Sequence, residues 1–279
     1  MKDLNERVAV ITGAASGIGQ SVAQRCAQEG MRLVLADIDE TNLDAVVGEI
    51  TSGGGDAIGV VTDVRHQEQI QALADKTIET YGKVNLAHNN AGVVTVGPLE
   101  DLTLNDWEWT LGVNLWSCIF GTTTFLPLIK EAGEGHIVNT SSSEGLQASG
   151  GTGAYNVSKF GIIALTQTLA RELKPFDDIN ASVLCPGPVR TKIVESERHR
   201  PEELLNGDGF DLGLLDNEES QGLLAGAMDP AIVADMVISG IKDETFWLVT
   251  HDETKEAVMA QATALVKDGS LSKSVYDFS

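Results

Sequence analysis

Short runs of β-branched and aliphatic residues alternate along the chain with longer segments in which apolar positions recur every three or four residues. Arg7 to Ile11, Arg32 to Ala36, Ala57 to Val61, Val84 to Ala87, Ile137 to Ser141, Ile179 to Cys185 and Phe246 to Val249 have the length and composition of buried strands. Between them, Gly17 to Glu29, Glu40 to Thr51, His66 to Tyr81, Leu104 to Lys130, Gly153 to Leu173 and Pro230 to Ile241 read as helices, and His251 to Val266 as a last one. Breakers stand where helices must stop: Gly53-Gly54-Gly55, Gly82 and Lys174-Pro175. Strands separated by helices of this length predict βαβ units, and right-handed crossovers then place helices on both faces of a parallel sheet. The expected fold is α/β, a doubly wound parallel sheet of about seven strands in one domain covering residues 1–279.

One stretch breaks the rhythm. Pro188 to Asp229 is polar, Gly-rich and long for a connection. Loops of that length are often lids, and its place after the sixth strand puts it by the carboxyl ends of the strands, where such sheets bind ligands.

The first strand runs into Thr12-Gly13-Ala14-Ala15-Ser16-Gly17-Ile18-Gly19. A glycine-rich turn that follows a strand and opens a helix is the context in which backbone N–H groups and the helix dipole hold a pyrophosphate. Gly13 allows the tight turn, Gly17 lets backbone approach the phosphates, and Gly19 permits close helix–strand packing, which makes the sheet Rossmann-type. Asp37 lies 18 residues past Gly19, at the tip of the second strand. A carboxylate there accepts hydrogen bonds from ribose hydroxyls and repels a 2′-phosphate, so the expected cofactor is NAD rather than NADP. Asp63-Val64, after the third strand, offers a carboxylate for the adenine amino group, although Asp after a strand is also ordinary turn chemistry.

Tyr155 and Lys159 stand four apart on a predicted helix and so share a face. An ammonium beside a phenol favours the phenolate, and the expectation is a tyrosine pKa lowered toward the neutral range, suited to acid/base work. Alone, such a pair is mostly surface decoration. Its surroundings matter more: Ile137-Val138-Asn139-Thr140-Ser141-Ser142 precedes Tyr155-Asn156-Val157-Ser158-Lys159, and with Thr12 to Gly19, Asn89 to Gly92, Asn114 and Pro186-Gly187 this order of motifs resembles the short-chain dehydrogenase/reductase family from about Arg7 to Thr191.

The resemblance implies an NAD-dependent oxidoreductase that moves a hydride between a nicotinamide ring and a secondary alcohol or its ketone. Ser142, thirteen residues before the tyrosine, would bind the substrate oxygen. Tyr155 would be the acid/base, and Lys159 would bind the nicotinamide ribose and lower the tyrosine pKa. Asn114 would hold a water that links Lys159 to solvent. The cofactor residues it implies are Gly13, Ser16, Gly17, Ile18, Gly19, Asp37, Asp63, Val64, Asn90, Gly92, Tyr155, Lys159, Pro186, Gly187, Val189 and Thr191. In the expected lid, Arg198-His199-Arg200-Pro201 and Asn217-Glu218-Glu219-Ser220 resemble bacterial dehydrogenases for bulky aryl secondary alcohols, which points to a roomy apolar pocket. Gly145, Leu146, Gly150 and Gly151 are expected to leave space beside Ser142, and Val94, Val96, Leu146 and Ile193 to make it apolar. Two other readings use the same fold: a dinucleotide-sensing module, and another reaction at the same site such as epimerisation or dehydration. The run Phe246 to Glu253 and the charged tail beyond it depart from the family's usual Asp-Gly-Gly ending.

Composition narrows the partners. The 279 residues carry 41 acidic and 19 basic side chains, a net charge of −22, which repels nucleic acid and anionic membranes. No uninterrupted apolar run reaches the roughly 18 residues of a membrane span. Cys26, Cys118 and Cys185 are odd in number and widely spaced, and the histidines lack ligand spacing, so neither a disulfide framework nor a metal site is expected. A cytoplasmic protein acting on a small molecule, as a homo-dimer or homo-tetramer, is the expectation; Trp107, Trp109 and Trp116 read as core or subunit contacts.

Overall fold

The computed structural model describes residues 1–206 and 226–275. Residues 207–225, and with them Asn217-Glu218-Glu219-Ser220, lie outside the described residues. Seven strands form one parallel sheet: β1 (Val8–Thr12), β2 (Arg32–Asp37), β3 (Asp56–Val61), β4 (Leu86–Asn89), β5 (Gly135–Thr140), β6 (Ile179–Cys185) and β7 (Trp247–Val249), in the order β3-β2-β1-β4-β5-β6-β7. Strand order reverses between β1 and β4, and a crevice at their carboxyl ends is the ligand position such sheets provide.

The strands read as continuous apolar runs because both faces are covered. Ala9, Ile11, Leu33 and Leu35 pack under α1 (Gly17–Gln28), α2 (Glu40–Ser52) and the later helix Pro230–Lys242, through Val22, Cys26, Val46, Val233 and Val237. Val10, Val34, Ala87 and Ile137 face the other way, toward α3 (Gln67–Tyr81), α5 (Ser117–Ala132) and α6 (Gly153–Glu172), through Leu73, Phe125, Ile129 and Leu169. In chain order α4 is Leu104–Leu111, α7 is Pro230–Lys242 and α8 is Asp252–Lys267.

Two expectations change. The strand expected at Val84 to Ala87 is paired from Leu86 to Asn89. The apolar run stops early, but buried His88 and Asn89 find partners on β5: Thr140 Oγ1 lies 2.9 Å from His88 Nε2, and Asn89 Nδ2 donates to Asn139 Oδ1 at 2.8 Å. The single helix expected over Leu104 to Lys130 is interrupted by a π turn at Gly112–Trp116. Within Leu104–Ala132 an 18-residue window has mean hydropathy 1.3, the length and apolar character of a membrane span, yet the stretch lies against β4, β5, α3 and α6.

Candidate active site

The turn after β1 is shaped by what glycine lacks. Gly13 and Gly17 adopt φ of +66° and +56°, and a Cβ on Gly19 would stand 2.1 Å from the Gly13 carbonyl oxygen. Asn90, just past β4, fastens this turn: its Nδ2 donates to the Thr12 and Gly13 carbonyl oxygens at 3.1 and 3.3 Å. Thr12 Oγ1 returns the contact, accepting from the N–H groups of Asn90 and Ala91 at 3.0 and 3.2 Å. The first turn of α1 carries no acidic residue, and the side chain of its N-cap Ser16 makes no capping bond. The positive helix end therefore faces the cleft lined by Gly13, Ser16, Gly17 and Ile18, a cradle that a dinucleotide pyrophosphate fits.

Asp37 lies beside that cradle. Its Oδ2 accepts from the Ala15 N–H at 2.9 Å and its Oδ1 from the Asp39 N–H at 3.0 Å, so the carboxylate is fixed while each oxygen keeps capacity toward the cleft. Asp63 also lines the cleft, but in an ion pair: Arg65 Nη2 reaches Asp63 Oδ2 at 2.7 Å. Burial pushes that carboxyl up, and the Arg65 hydrogen bonds and charge outweigh it and hold it below the usual range. Val64 and Gly92 line the same cleft. Three further side chains at the adenosine end, Arg65, Arg198 and His199, were assigned no role there by the sequence reading. Arg65 stands two residues from Asp63, while Arg198 and His199 arrive from the expected lid, with His199 Nε2 3.6 Å from Asp39 Oδ2. Nothing in their spacing marks them, because it is the fold-back of a distant loop that brings them there.

On the opposite wall, α6 begins at Gly153 and carries Tyr155 in its first turn and Lys159 one turn on. Lys159 Nζ lies 5.3 Å from the centre of the Tyr155 ring and donates to the Thr140 carbonyl oxygen at 3.2 Å. Ser142 stands close enough to the Tyr155 hydroxyl to favour its phenolate. Ser142 Oγ accepts from the Glu144 N–H at 3.1 Å and donates to the Pro186 carbonyl oxygen at 3.5 Å. The expectation of a lowered phenol pKa does not hold for the site as it stands. Burial pushes Tyr155 up to about 12, against the lowering by Ser142, and the nearby Glu144 adds to the rise. Burial likewise pushes Lys159 down to about 8. Desolvation disfavours the charged form of both groups, and at this separation it outweighs their mutual effect.

Asn114 sits on the π turn, fully buried. Its Oδ1 accepts from the Val93 N–H at 2.8 Å, and its Nδ2 donates to the Val93 carbonyl oxygen at 2.9 Å and to Ser158 Oγ at 3.0 Å. Both ends of the amide are thus engaged in protein, so the side chain clamps the β4 exit to α6. π turns are often found at functional sites.

Other expected residues divide. Pro186 and Thr191 line the cleft. The Gly187 N–H donates to Thr250 Oγ1 at 3.0 Å, and Val189 packs its side chain against the core while its backbone bridges Met228. Gly145 does not leave space: a Cβ there would stand 2.3 Å from Ser141 Oγ and 2.7 Å from the Lys159 carbonyl oxygen, so this glycine lets the turn press onto α6. Leu146 packs with Cys118, Ile162 and Cys185 rather than facing a substrate. Trp109 proves to be buried, borders the cleft, and lies 5.0 Å beneath the Arg200 guanidinium. Arg200 and Asp106, both almost wholly buried, pair at 2.8 Å and anchor the first part of the expected lid, residues 188–206, onto α4.

A Rossmann-type sheet with a phosphate cradle on one wall and a buried Ser-Tyr-Lys group on the other is the frame of an oxidoreductase. The model of the short chain dehydrogenase family matches residues 7–202. The chain is 30% identical over 275 residues, 96% of each protein, to a "CLA biosynthesis dehydrogenase/reductase" of Lactiplantibacillus plantarum. It is 32% identical over 272 residues, 95% of this chain and 87% of the relative, to a "C alpha-dehydrogenase" of Sphingobium sp. strain SYK-6. A crystal structure of a short chain dehydrogenase/reductase from Burkholderia phymatum in complex with NAD superposes with a TM-score of 0.94 at 36% identity, covering 99% of this chain and 100% of that one. The chain belongs to the short-chain dehydrogenase/reductase family.

Proposed function

We propose that the protein is an NAD-dependent oxidoreductase that interconverts a secondary alcohol and its ketone. The observation that carries this reading is Tyr155, near Ser142 and set one helical turn from Lys159, lining the same cleft as the glycine cradle. Bound in the cradle, a nicotinamide dinucleotide supplies the hydride acceptor or donor. The protein's own part is the proton. Ser142 holds the substrate oxygen, Tyr155 gives that oxygen a proton in reduction and removes one in oxidation, and Lys159 supplies positive charge beside the phenol. At neutral pH the buried phenol is protonated, ready as a donor. Asn114 and Ser158 hold α6 in place from behind, the latter through Ser158 Oγ donating to the Tyr155 carbonyl oxygen at 2.6 Å.

Val93, Val113, Trp109 and Ile193 give the cleft an apolar border beside Tyr155, which suits an apolar or bulky alcohol, aryl, alicyclic or steroid-like. The likeness to a protein named C alpha-dehydrogenase accords with that class. The test is a panel of 1-phenylethanol, cyclohexanol and a 3-hydroxysteroid with NAD, and the matching ketones with NADH, followed at the NADH absorbance band. Growth or decay of that band with at least one pair is expected. NADH binding with no turnover of any pair, in either direction, would discard the alcohol–ketone reading.

The protein is further proposed to self-associate. Trp116 and Phe120 stack at 5.6 Å, and Trp116, Val157 and Phe160 are 50%, 50% and 43% exposed on the contiguous α5 and α6 side of the molecule. An apolar face of this kind, on a chain this acidic elsewhere, is suited to a second copy of itself. Sedimentation should show a dimer or larger for the natural chain and a monomer for Phe160→Glu. A natural chain that sediments as a monomer at micromolar concentration rules this out.

A further inference from the structure

The turn that joins the catalytic serine to the catalytic helix is held from outside the sheet, by the end of the chain. Gln147 is 5% exposed and spends both ends of its amide on the C-terminal segment. Its Nε2 donates to the Lys273 carbonyl oxygen at 2.9 Å and to Ser272 Oγ at 3.1 Å, and its Oε1 accepts from the Val275 N–H at 3.3 Å. Ser149 Oγ lies 2.8 Å from Ser274 Oγ and donates to Glu144 Oε1 at 2.8 Å, and the Ser149 N–H donates to Glu144 Oε2 at 3.0 Å. The Glu144 N–H in turn donates to Ser142 Oγ. A continuous series of hydrogen bonds therefore runs from the last described residues to the Ser142 hydroxyl beside Tyr155. Buried polar groups demand partners, and those of Gln147 come from the tail.

We infer that residues 270–275 form a strap that positions the 143–149 turn, with Gln147, Ser149 and Glu144 as positioning residues that set Ser142 against Tyr155 and shape the substrate side of the site. The inference rests on the proposed alcohol–ketone reading only for its kinetic consequence. The strap follows α8, which packs on β7, so its near end is fixed to the sheet. Of its two apolar residues, Leu271 is 86% exposed and only Val275, at 38%, is partly covered. Polar contacts, each worth only about 1 kcal/mol net, thus dominate its attachment, and the strap can lift without unfolding the domain. The turn it holds is bordered on its other side by Gly97, whose N–H donates to the Gly151 carbonyl oxygen at 2.7 Å, and Asn156 Nδ2 closes it onto α6 by donating to the Ser149 carbonyl oxygen at 2.8 Å. Loss of the strap frees the serine side of the site and leaves the cradle, on the far wall, as it was. Glu144 would then gain water, and its influence on the Tyr155 phenol would weaken.

Two variants test this: a chain ended at Asp268, and Gln147→Leu, which keeps the side chain's size and removes its hydrogen bonds. Amide hydrogen exchange over residues 141–151 should quicken about tenfold or more in both, tenfold being what about 1.4 kcal/mol produces, with exchange over residues 8–37 unchanged and NADH affinity within about twofold. Against the alcohol that the natural chain turns over best, KM should rise several-fold more than kcat falls, and the pH at which oxidation reaches half its maximum should move down as Glu144 is hydrated. Unchanged exchange over 141–151 in both variants overturns the strap. Because exchange needs no substrate, a natural chain that oxidises no alcohol would defeat the proposed reaction while the exchange result still decides the strap.

Discussion

Replacing Tyr155 by phenylalanine is expected to lower kcat by roughly 10²–10⁴-fold, the range general acid/base groups contribute, while NADH affinity stays within about twofold. The substitution keeps the ring that lies 5.3 Å from Lys159 Nζ and deletes only the hydroxyl beside Ser142. Neither the cradle nor the Asp37 side of the cleft touches that hydroxyl, so cofactor binding has no reason to change. The pH dependence of the natural chain supplies a second check. Oxidation needs the phenolate, and with the phenol pushed up to about 12 the rate should climb steeply through the neutral range. Reduction needs the protonated phenol and should be flat there. Lys159, pushed down to about 8, loses its charge in the same window. The phenylalanine variant should lose the climb altogether. Turnover near that of the natural chain, with the same pH profile, would remove Tyr155 from the mechanism.

The parts of this architecture that periodicity and punctuation encode were legible before any coordinates. Strands buried on both faces show as apolar runs, and their alternation with amphipathic segments leaves a doubly wound sheet as the simple arrangement; the seven strands and their parallel order follow. The cradle was legible because Gly19 admits no side chain beside the Gly13 carbonyl. What was not legible depends on long-range satisfaction of polar groups. His88 and Asn89 extend β4 beyond its apolar run because partners on β5 receive them, which a window of sequence does not contain. The partners of the Asn114 amide, Val93 and Ser158, lie on other segments and carry no local signal. Gly145 and Leu146 looked like pocket residues because they follow Ser142, yet the turn folds back on α6 and spends both in packing. The phenol's pKa followed from a charge argument that omitted desolvation, the larger effect at this site. The pairing of Arg200 carried no signal, since its partner Asp106 lies on a different element and only the fold brings the two together.

The second large effect is expected at Asp37. Replacing it by alanine should weaken NAD binding roughly 10- to 100-fold, the equivalent of the 1.5–3 kcal/mol that hydrogen bonds to a charged group contribute. The side chain has two duties, and the variant must separate them. It accepts from the Ala15 and Asp39 N–H groups, which steadies the cradle, and its charge opposes a 2′-phosphate. If steadying the cradle were its whole contribution, Asp37→Ala would weaken NAD and NADP alike and leave their ratio untouched. Asp37→Asn retains an acceptor oxygen and discards the charge. With that charge gone, Lys192 and Arg198 on the same rim are no longer offset by it, so NADP affinity in Asp37→Asn should rise in absolute terms while NAD affinity falls. The gain should shrink as salt is added, because the rim cations act through solvent over several ångströms. Titration of both cofactors against the three proteins at low and at physiological ionic strength reads all of this at once. A cofactor ratio that stays constant across the natural chain, Asp37→Ala and Asp37→Asn would show that the carboxylate is scaffold only, and the preference for NAD would have to be sought elsewhere on the rim.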